Sequence, residues 1–213
     1  MLLLPAAVLT LFSCRKERLT GSGPVITQAR PLNNFTKIYT GGATDVYVTQ
    51  GPVFSVEVNG YSNLLPFFET KVVNNTLELG YREKTTVKND NIKVFITLPV
   101  LNGLATAGSG SIHTIGNFTN NPFFENNITG SGNIYFALGA AQNCRTVISG
   151  SGSVYAFGMQ ADNADITISG SGQQEITAST TLKVNIAGSG NVYYKGTPVI
   201  TTLISGSGAL IPR

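Results

Sequence analysis

One pattern of apolar and polar positions repeats six times in the second half of the chain. The tripeptide Gly-Ser-Gly recurs at intervals of 22, 20, 20, 18 and 18 residues. Its copies begin at Gly108, Gly130, Gly150, Gly170, Gly188 and Gly206. Ile, or Thr in the first copy, stands two positions before the first Gly of each copy. The residue four positions after that Gly is apolar in every copy except the fourth, where it is Gln174.

These offsets predict the turns of a β-solenoid. The two flanking positions are an even number of residues apart, so in extended chain they share a face, and the glycines between them suit a corner. Stacked coils of this length place Ile on Ile and Val on Val. A flexible Gly/Ser linker would not keep β-branched residues at fixed offsets, and a β-sandwich would need turns at about half this spacing. The sequence therefore predicts an all-β, single-stranded right-handed β-helix with Gly-Ser-Gly corner repeats of 18–22 residues.

The first half of the chain repeats less regularly. Residues 38–48 resemble a degenerate copy of the unit, and residues 92–98 alternate as a strand that Pro99 ends. Gly108 lies 66 positions after Gly42, which leaves room for about three coils. We therefore predict one domain over residues 32–213, with irregular coils over 32–103 and regular coils over 104–213.

The N-terminus predicts export and lipid anchoring. Residues 1–13 are uncharged and mostly apolar, too short to span a bilayer, and typical of a signal segment. They are followed by Cys14, in a lipobox-like context, and then by four charged residues. We predict a signal peptide over 1–13, acylation of Cys14, a flexible tether over 14–31, and a location in the cell envelope at the outer membrane.

The charges give no sign of catalysis or of nucleic-acid binding. The net charge is +3 and the basic residues are scattered, whereas nucleic-acid binders concentrate them. After Leu104 the only acids are Glu125, Asp162, Asp165 and Glu175, which form no recognisable pair. The single histidine, His113, cannot build a zinc site alone. We predict no enzyme activity, cofactor or metal; the alternative is a polysaccharide lyase or hydrolase on a β-helix scaffold.

Polar and aromatic side chains are predicted on the outer surface just after the corners. Tyr135, Tyr155 and Tyr193 have the outward parity, and Asn133 and Asn191 precede two of them. One interpretation is a binding face for a glycan or a surface protein. The other is that the amide rows satisfy each other and the corner backbone, as stacked polar residues do.

The order of motifs resembles a known family. Thr-Gly-Gly-Ala-Thr-Asp-Val-Tyr-Val-Thr-Gln-Gly (40–51) is followed by Leu-Pro-Val-Leu-Asn-Gly-Leu (98–104) and then by repeated Gly-Ser-Gly-Asn-Ile or Val. This resembles the "putative auto-transporter adhesin, head GIN domain" family, which is typical of Bacteroidetes lipoproteins. The resemblance implies a β-helical, exported protein and gives no catalytic residues. We expect an adhesive scaffold, with homo-oligomers formed through flat faces or through coil ends near Leu210 and Ile211.

Overall fold

The computed structural model describes residues 17–213, so the predicted signal segment and Cys14 lie outside the described residues. This part of the chain holds strands and one 3₁₀ helix (Leu65–Phe67), and none of its helices could cross a bilayer. The first strands are β1 (Glu17–Thr20), β2 (Val25–Ala29), β3 (Lys37–Gly42), β4 (Asp45–Gln50), β5 (Ser55–Tyr61), β6 (Phe68–Val73), β7 (Thr76–Tyr81), β8 (Thr85–Lys88) and β9 (Lys93–Leu98). The regular coils contain β10 (Gly103–Gly108), β11 (Ser111–Ile115), β12 (Asn117–Gly130), β13 (Asn133–Tyr135), β14 (Leu138–Gly150), β15 (Ser153–Tyr155), β16 (Met159–Gly170), β17 (Gln173–Gly188), β18 (Asn191–Lys195), β19 (Val199–Ser205) and β20 (Ala209–Pro212).

The strands stack in parallel on two sides of a β-solenoid, which confirms the predicted fold class. Side A consists, in spatial order, of β7, β3, β10, β12, β14, β16, the C-terminal half of β17, and β19. Side B consists of β9, β4, β11, β13, β15, the N-terminal half of β17, β18 and β20. Each Gly-Ser-Gly lies at the corner where the chain passes from side A to side B.

The corners join one coil to the next through the glycine backbone. The carbonyl oxygen of Gly150 accepts hydrogen bonds from the backbone N–H groups of Ser171 (2.9 Å) and Gly172 (3.2 Å) in the following coil. The same pair of bonds is formed at the preceding corners. Gly170 has φ +125°, and a methyl group there would overlap the carbonyl of Gly150. The first glycine is therefore required both by its backbone angle and by the closeness of its neighbour.

The predicted apolar ladders fill the interior. On side A, Ile128, Ile148, Ile168 and Ile186 pair in register and are at most 2% exposed. On side B, the position after each corner is fully buried from β11 to β18. Burying one such side chain stabilises the fold by roughly 1.5–3 kcal/mol, so consecutive coils are held together mainly by these contacts.

The N-terminal region differs from the predicted series of irregular coils. One coil, β7 with β9, continues the parallel stack, but β6 pairs antiparallel with β7, and β5 antiparallel with β9. Asn74 and Asn75 both have positive φ (48° and 61°), the geometry of a two-residue hairpin turn. This Asn-Asn signal reverses the chain where the repeat length alone suggested another coil.

Part of the predicted tether is also folded. β1 pairs with β8 in parallel, and β2 pairs antiparallel with β5. Residues 17–20 and 25–29 therefore belong to the folded unit instead of to a flexible tether. Antiparallel strands cover the open edge that the first parallel coil would otherwise leave on side B, which explains their place here.

The C-terminal end of the stack exposes apolar residues. β19 is exposed along its whole length, with Val199 73% and Leu203 69% exposed. Ile200 and Ile204 occupy inward rows but remain 39% and 37% exposed, because no described strand covers them.

The buried Gln174 gives a test of the core. It is 0% exposed within a row of Ile and Val, its Nε2 donates to the Glu175 carbonyl (2.6 Å), and its Oε1 has no partner. We expect Gln174→Val to leave the free energy of unfolding unchanged or to raise it by about 1 kcal/mol, measured by urea denaturation, because an unpaired buried amide oxygen is removed. The matched change one coil earlier, Val154→Gln, should lower it by about 1–3 kcal/mol. A loss of several kcal/mol in Gln174→Val would instead reveal a buried polar network.

Candidate functional site

Five aromatic rings stack on the outer surface of side B. Phe95, Tyr47, His113, Tyr135 and Tyr155 occupy the same position on consecutive strands β9, β4, β11, β13 and β15. Neighbouring ring centroids are 5.3, 5.3, 4.6 and 4.9 Å apart, and the planes are within 14° of parallel. We call these five residues the aromatic ladder.

The ladder follows from the backbone register. Each member stands between two inward residues, as Tyr47 does between Val46 and Val48, so each ring points away from the core. Parallel strands about 4.8 Å apart then hold the rings at stacking distance. Each stacked pair contributes roughly 0.5–1.5 kcal/mol beyond its buried area.

Stacking determines which parts of the ladder's rings are accessible to a binding partner. The faces of the inner rings are covered by their neighbours, so the accessible parts are ring edges and the tyrosine hydroxyls. Phe95 is 43% exposed and Tyr135 37%, and the exposed Ile115 lies beside the ladder, two residues after His113. The result is a flat strip of ring edges that carries the hydroxyl groups of Tyr47, Tyr135 and Tyr155 and the imidazole of His113.

The structure brings together two of the three predicted tyrosines. Tyr135 and Tyr155 stack directly, whereas Tyr193 is separated from Tyr155 by Glu175 in the same row. Burial raises the pKa of Glu175, and the positive charges of Lys195 and Arg213 oppose that shift. The Arg213 guanidinium lies 4.6 Å from the Tyr193 ring centroid. The ladder thus gives way to a charged cluster at Glu175.

The two predicted asparagines are engaged in the corners. Asn133 Oδ1 accepts a hydrogen bond from the backbone N–H of Ser153 (3.0 Å), and Asn191 Oδ1 accepts one from that of Ala209 (3.0 Å). Of the two interpretations that the sequence left open, these contacts match the one in which the amides bond to the corner backbone. Each amide links one coil to the next. Their contacts account for both side chains without a ligand.

Sequence reasoning missed three members of the ladder: Phe95, Tyr47 and His113, the last of which was considered only as a possible metal ligand. The degenerate unit at residues 38–48 places Tyr47 at the offset from its glycines that Tyr135 has, and this signal was available. Phe95 follows no Gly-Ser-Gly, so only the pairing of β9 with β4 reveals its place.

Two of the four acidic residues of the regular coils, Glu125 and Asp165, make surface ion pairs. On side A, an outer row of alternating sign runs through Glu125, Arg145, Asp165 and Lys183 on successive strands. Asp165 and Lys183 are 3.6 Å apart, and Ser179 donates a hydrogen bond to Asp162 (3.2 Å). Such exposed pairs contribute little stability, but opposite charges on neighbouring strands favour the observed register.

The described residues contain no group of three His, Cys, Asp or Glu side chains that could hold a metal ion. Cys144 is buried, and burial raises the pKa of its thiol to about 12, against a smaller opposing effect of a hydrogen bond with Thr146. The thiol is therefore protonated near neutral pH and is a poor nucleophile.

Comparisons with known proteins agree with this architecture. The sequence model of a family described as "Putative auto-transporter adhesin, head GIN domain" matches residues 34–198. A crystal structure of a putative adhesin from Bacteroides fragilis is similar, with a TM-score of 0.72 and 23% identity over 91% of this chain and 99% of that one. A putative lipid binding protein from Parabacteroides distasonis has a TM-score of 0.62 and 24% identity over 92% of this chain and 100% of its own. A putative adhesin from Parabacteroides merdae has a TM-score of 0.58 and 18% identity, with coverages of 92% and 99%. Among curated proteins none matches.

Proposed function

Since the chain belongs to the "Putative auto-transporter adhesin, head GIN domain" family, we propose that it is a non-catalytic protein of the cell envelope whose β-solenoid surface binds an extracellular or cell-wall glycan. The family description supports adhesion at a surface. The similar crystal structures support the fold only, because their sequences are less than 25% identical to this chain.

The aromatic ladder is the observation that carries the proposal. Tyrosine combines a large rigid apolar area with a hydrogen-bonding hydroxyl and loses little conformational entropy on binding. In the ladder the neighbouring rings already fix each ring, so little further ordering opposes association. The hydroxyl groups of Tyr135 and Tyr155, on adjacent strands, suit a ligand that itself repeats hydroxyls along its length. A surface protein is the alternative ligand, because ring edges and the exposed Ile115 also suit a protein interface.

The alternative of a polysaccharide-active enzyme has less support. Glycoside hydrolysis by the usual route needs two carboxyl groups flanking one bond. Glu125 and Asp165 are instead separated by Arg145 within the ion-pair row. The residues next to Glu175 in its row, on the two adjacent strands, are Tyr155 and Tyr193. Glu175 therefore has no second carboxyl group beside it in that row.

Replacing the three predicted tyrosines, two in the ladder and Tyr193 beyond Glu175 in the same row, tests the binding face. We expect the triple change Tyr135→Ala, Tyr155→Ala and Tyr193→Ala to weaken binding to the glycans recognised on an array of cell-wall and host glycans by at least about tenfold, a loss of roughly 1.4 kcal/mol. The corresponding triple Phe variant keeps the stacking and should lose only the hydroxyl contribution. Thermal unfolding of each variant controls for stability.

Unchanged glycan binding by the triple Ala variant would contradict the proposal, and so would a wild-type protein that binds no glycan on the array. Binding to surface proteins alone, lost in the triple Ala variant, would replace the glycan with the alternative ligand.

Attachment to the membrane is proposed to depend on acylation of Cys14. We expect Cys14→Ser to move the protein from the membrane fraction to the soluble fraction of the producing cell, because the acyl chains that hold it would be missing. The second cysteine provides a matched control, since Cys144→Ala should remain with the membrane. A Cys14→Ser protein that still fractionates with the membrane would contradict lipid anchoring.

Self-association stays a prediction. The exposed apolar residues of β19 give it a plausible surface, because Val199 and Leu203 would be removed from water in an assembly.

A further inference from the structure

One strand of side A lacks bulky outer side chains. In the row formed by Tyr39, Ala105 and Asn127 on β3, β10 and β12, the middle position carries only a methyl group. A depression of about 320 Å³ includes this position; Tyr39 and Asn127 line it, and it extends past β3 to Asn74 and Glu78. The row therefore has a gap that is one strand wide, which we call the slot.

The neighbouring row closes one end of the slot. Here the middle position is Gly103, between Lys37 and Glu125, and the Lys37 ammonium reaches across it to the Glu125 carboxylate at 3.4 Å. The floor thus consists of β10 backbone with Gly103 and Ala105, and an ion pair forms one end.

The Tyr39 ring differs from the rings of the aromatic ladder. It is 38% exposed and stacks on no other aromatic ring of the described residues. It lines the slot and also a second depression of about 380 Å³ that includes Gly41 and Gly80. On the slot side the neighbouring residue is Ala105, whose methyl group is too small to cover the Tyr39 ring as a neighbouring ring does in the ladder.

The geometry of the ladder indicates how thick an occupant of the slot can be. On side B, rings on adjacent strands stack 4.6–5.3 Å apart. A flat ring placed above Ala105 would occupy the equivalent position next to Tyr39 and would fill the gap before Asn127. The slot consequently fits one six-membered ring.

The rim of the slot selects a polar, uncharged ring. Asn127 and the Glu125 carboxylate border it, and the Glu78 carboxylate lies in the same depression on the far side of Tyr39. Each carboxylate has a lysine partner, Glu125 with Lys37 (3.4 Å) and Glu78 with Lys71 (3.1 Å). An aromatic side chain inserted here would remove these polar groups from water without pairing them, which is costly. A sugar has an apolar C–H face for Tyr39 and hydroxyl groups for the rim, and the balanced charges give no preference for a charged sugar.

We propose that the slot is a binding site for a single neutral hexopyranose unit, which stacks on Tyr39 and hydrogen-bonds to Asn127 and the Glu125 carboxylate. The inference rests on the proposed function for the class of ligand, a glycan. It concerns a different surface, because the slot lies on side A and the aromatic ladder on side B.

The test uses amide NMR of the ¹⁵N-labelled protein titrated with glucose, galactose, mannose and N-acetylglucosamine. We expect at least one sugar to shift the amide signals of Gly103, Ala105 and Asn127 at millimolar concentrations, as isolated monosaccharides bind weakly. Tyr39→Ala, which removes the stacking face, should weaken that binding at least about tenfold.

A variant that fills the slot gives a sharper test than Tyr39→Ala. Ala105→Tyr adds the missing ring, so it should abolish sugar binding by occupying the slot, with thermal unfolding measured to show that the variant is folded. Val147→Tyr, the same addition two strands further along the same row, is the matched control and should leave the sugar-induced shifts unchanged.

The results separate the slot from the ladder. No shift at the slot with any of the four sugars, or undiminished binding in Ala105→Tyr, would overturn the inference. The triple Ala variant of Tyr135, Tyr155 and Tyr193 should keep the slot shifts. If the triple Ala variant lost all sugar binding while Tyr39→Ala and Ala105→Tyr kept it, the slot would be rejected and the ladder retained as the site.

Discussion

The close approach of glycine backbones at the corners is the constraint on which the rest of the structure depends. At five of the six Gly-Ser-Gly corners a glycine carbonyl accepts two amide hydrogen bonds from the following coil, and at the last corner the Gly188 carbonyl accepts one, from Gly208. The facing glycines leave no room for a side chain. Because this contact recurs in every regular coil, it fixes where each coil begins relative to the one before. The register of every outer and inner row follows from that alignment.

The rows in turn determine which chemistry the surface can perform. Charged side chains that fall in one row pair with their neighbours, so carboxylates such as Asp165 are matched by Lys183 and are not gathered into an acid–base pair. Aromatic side chains that fall in one row stack and expose their edges, as on side B. A small residue in a row of larger ones leaves a slot, as Ala105 does beside Tyr39. Binding surfaces therefore arise from the content of a row, and the regular backbone serves as their support.

Much of this arrangement could be predicted from residue offsets. The Gly-Ser-Gly spacing indicated the corners, the buried Ile row and the alignment of Tyr135 with Tyr155, because all of these depend on position within one repeat. Features that depend on pairing between distant segments could not be predicted in this way. β3 and β10 are neighbours although about 60 residues separate them, so the slot between Tyr39 and Asn127 is invisible in the sequence. The hairpin at Asn74 and Asn75 did have a local signal, which the expectation of continuous coils obscured.

The dependence on corner packing is tested most directly by comparing two glycine substitutions in equilibrium unfolding. Neither Gly172 nor Gly80 has a positive φ, but a methyl group at Gly172 would overlap the Gly152 carbonyl, whereas one at Gly80 meets nothing within 4 Å. We predict that Gly172→Ala lowers the free energy of unfolding by about 1–3 kcal/mol or more through overpacking. Gly80→Ala should leave it unchanged or raise it by about 0.4–1 kcal/mol. Equal effects of the two substitutions would contradict the claim that backbone contact at the corners sets the alignment of the coils.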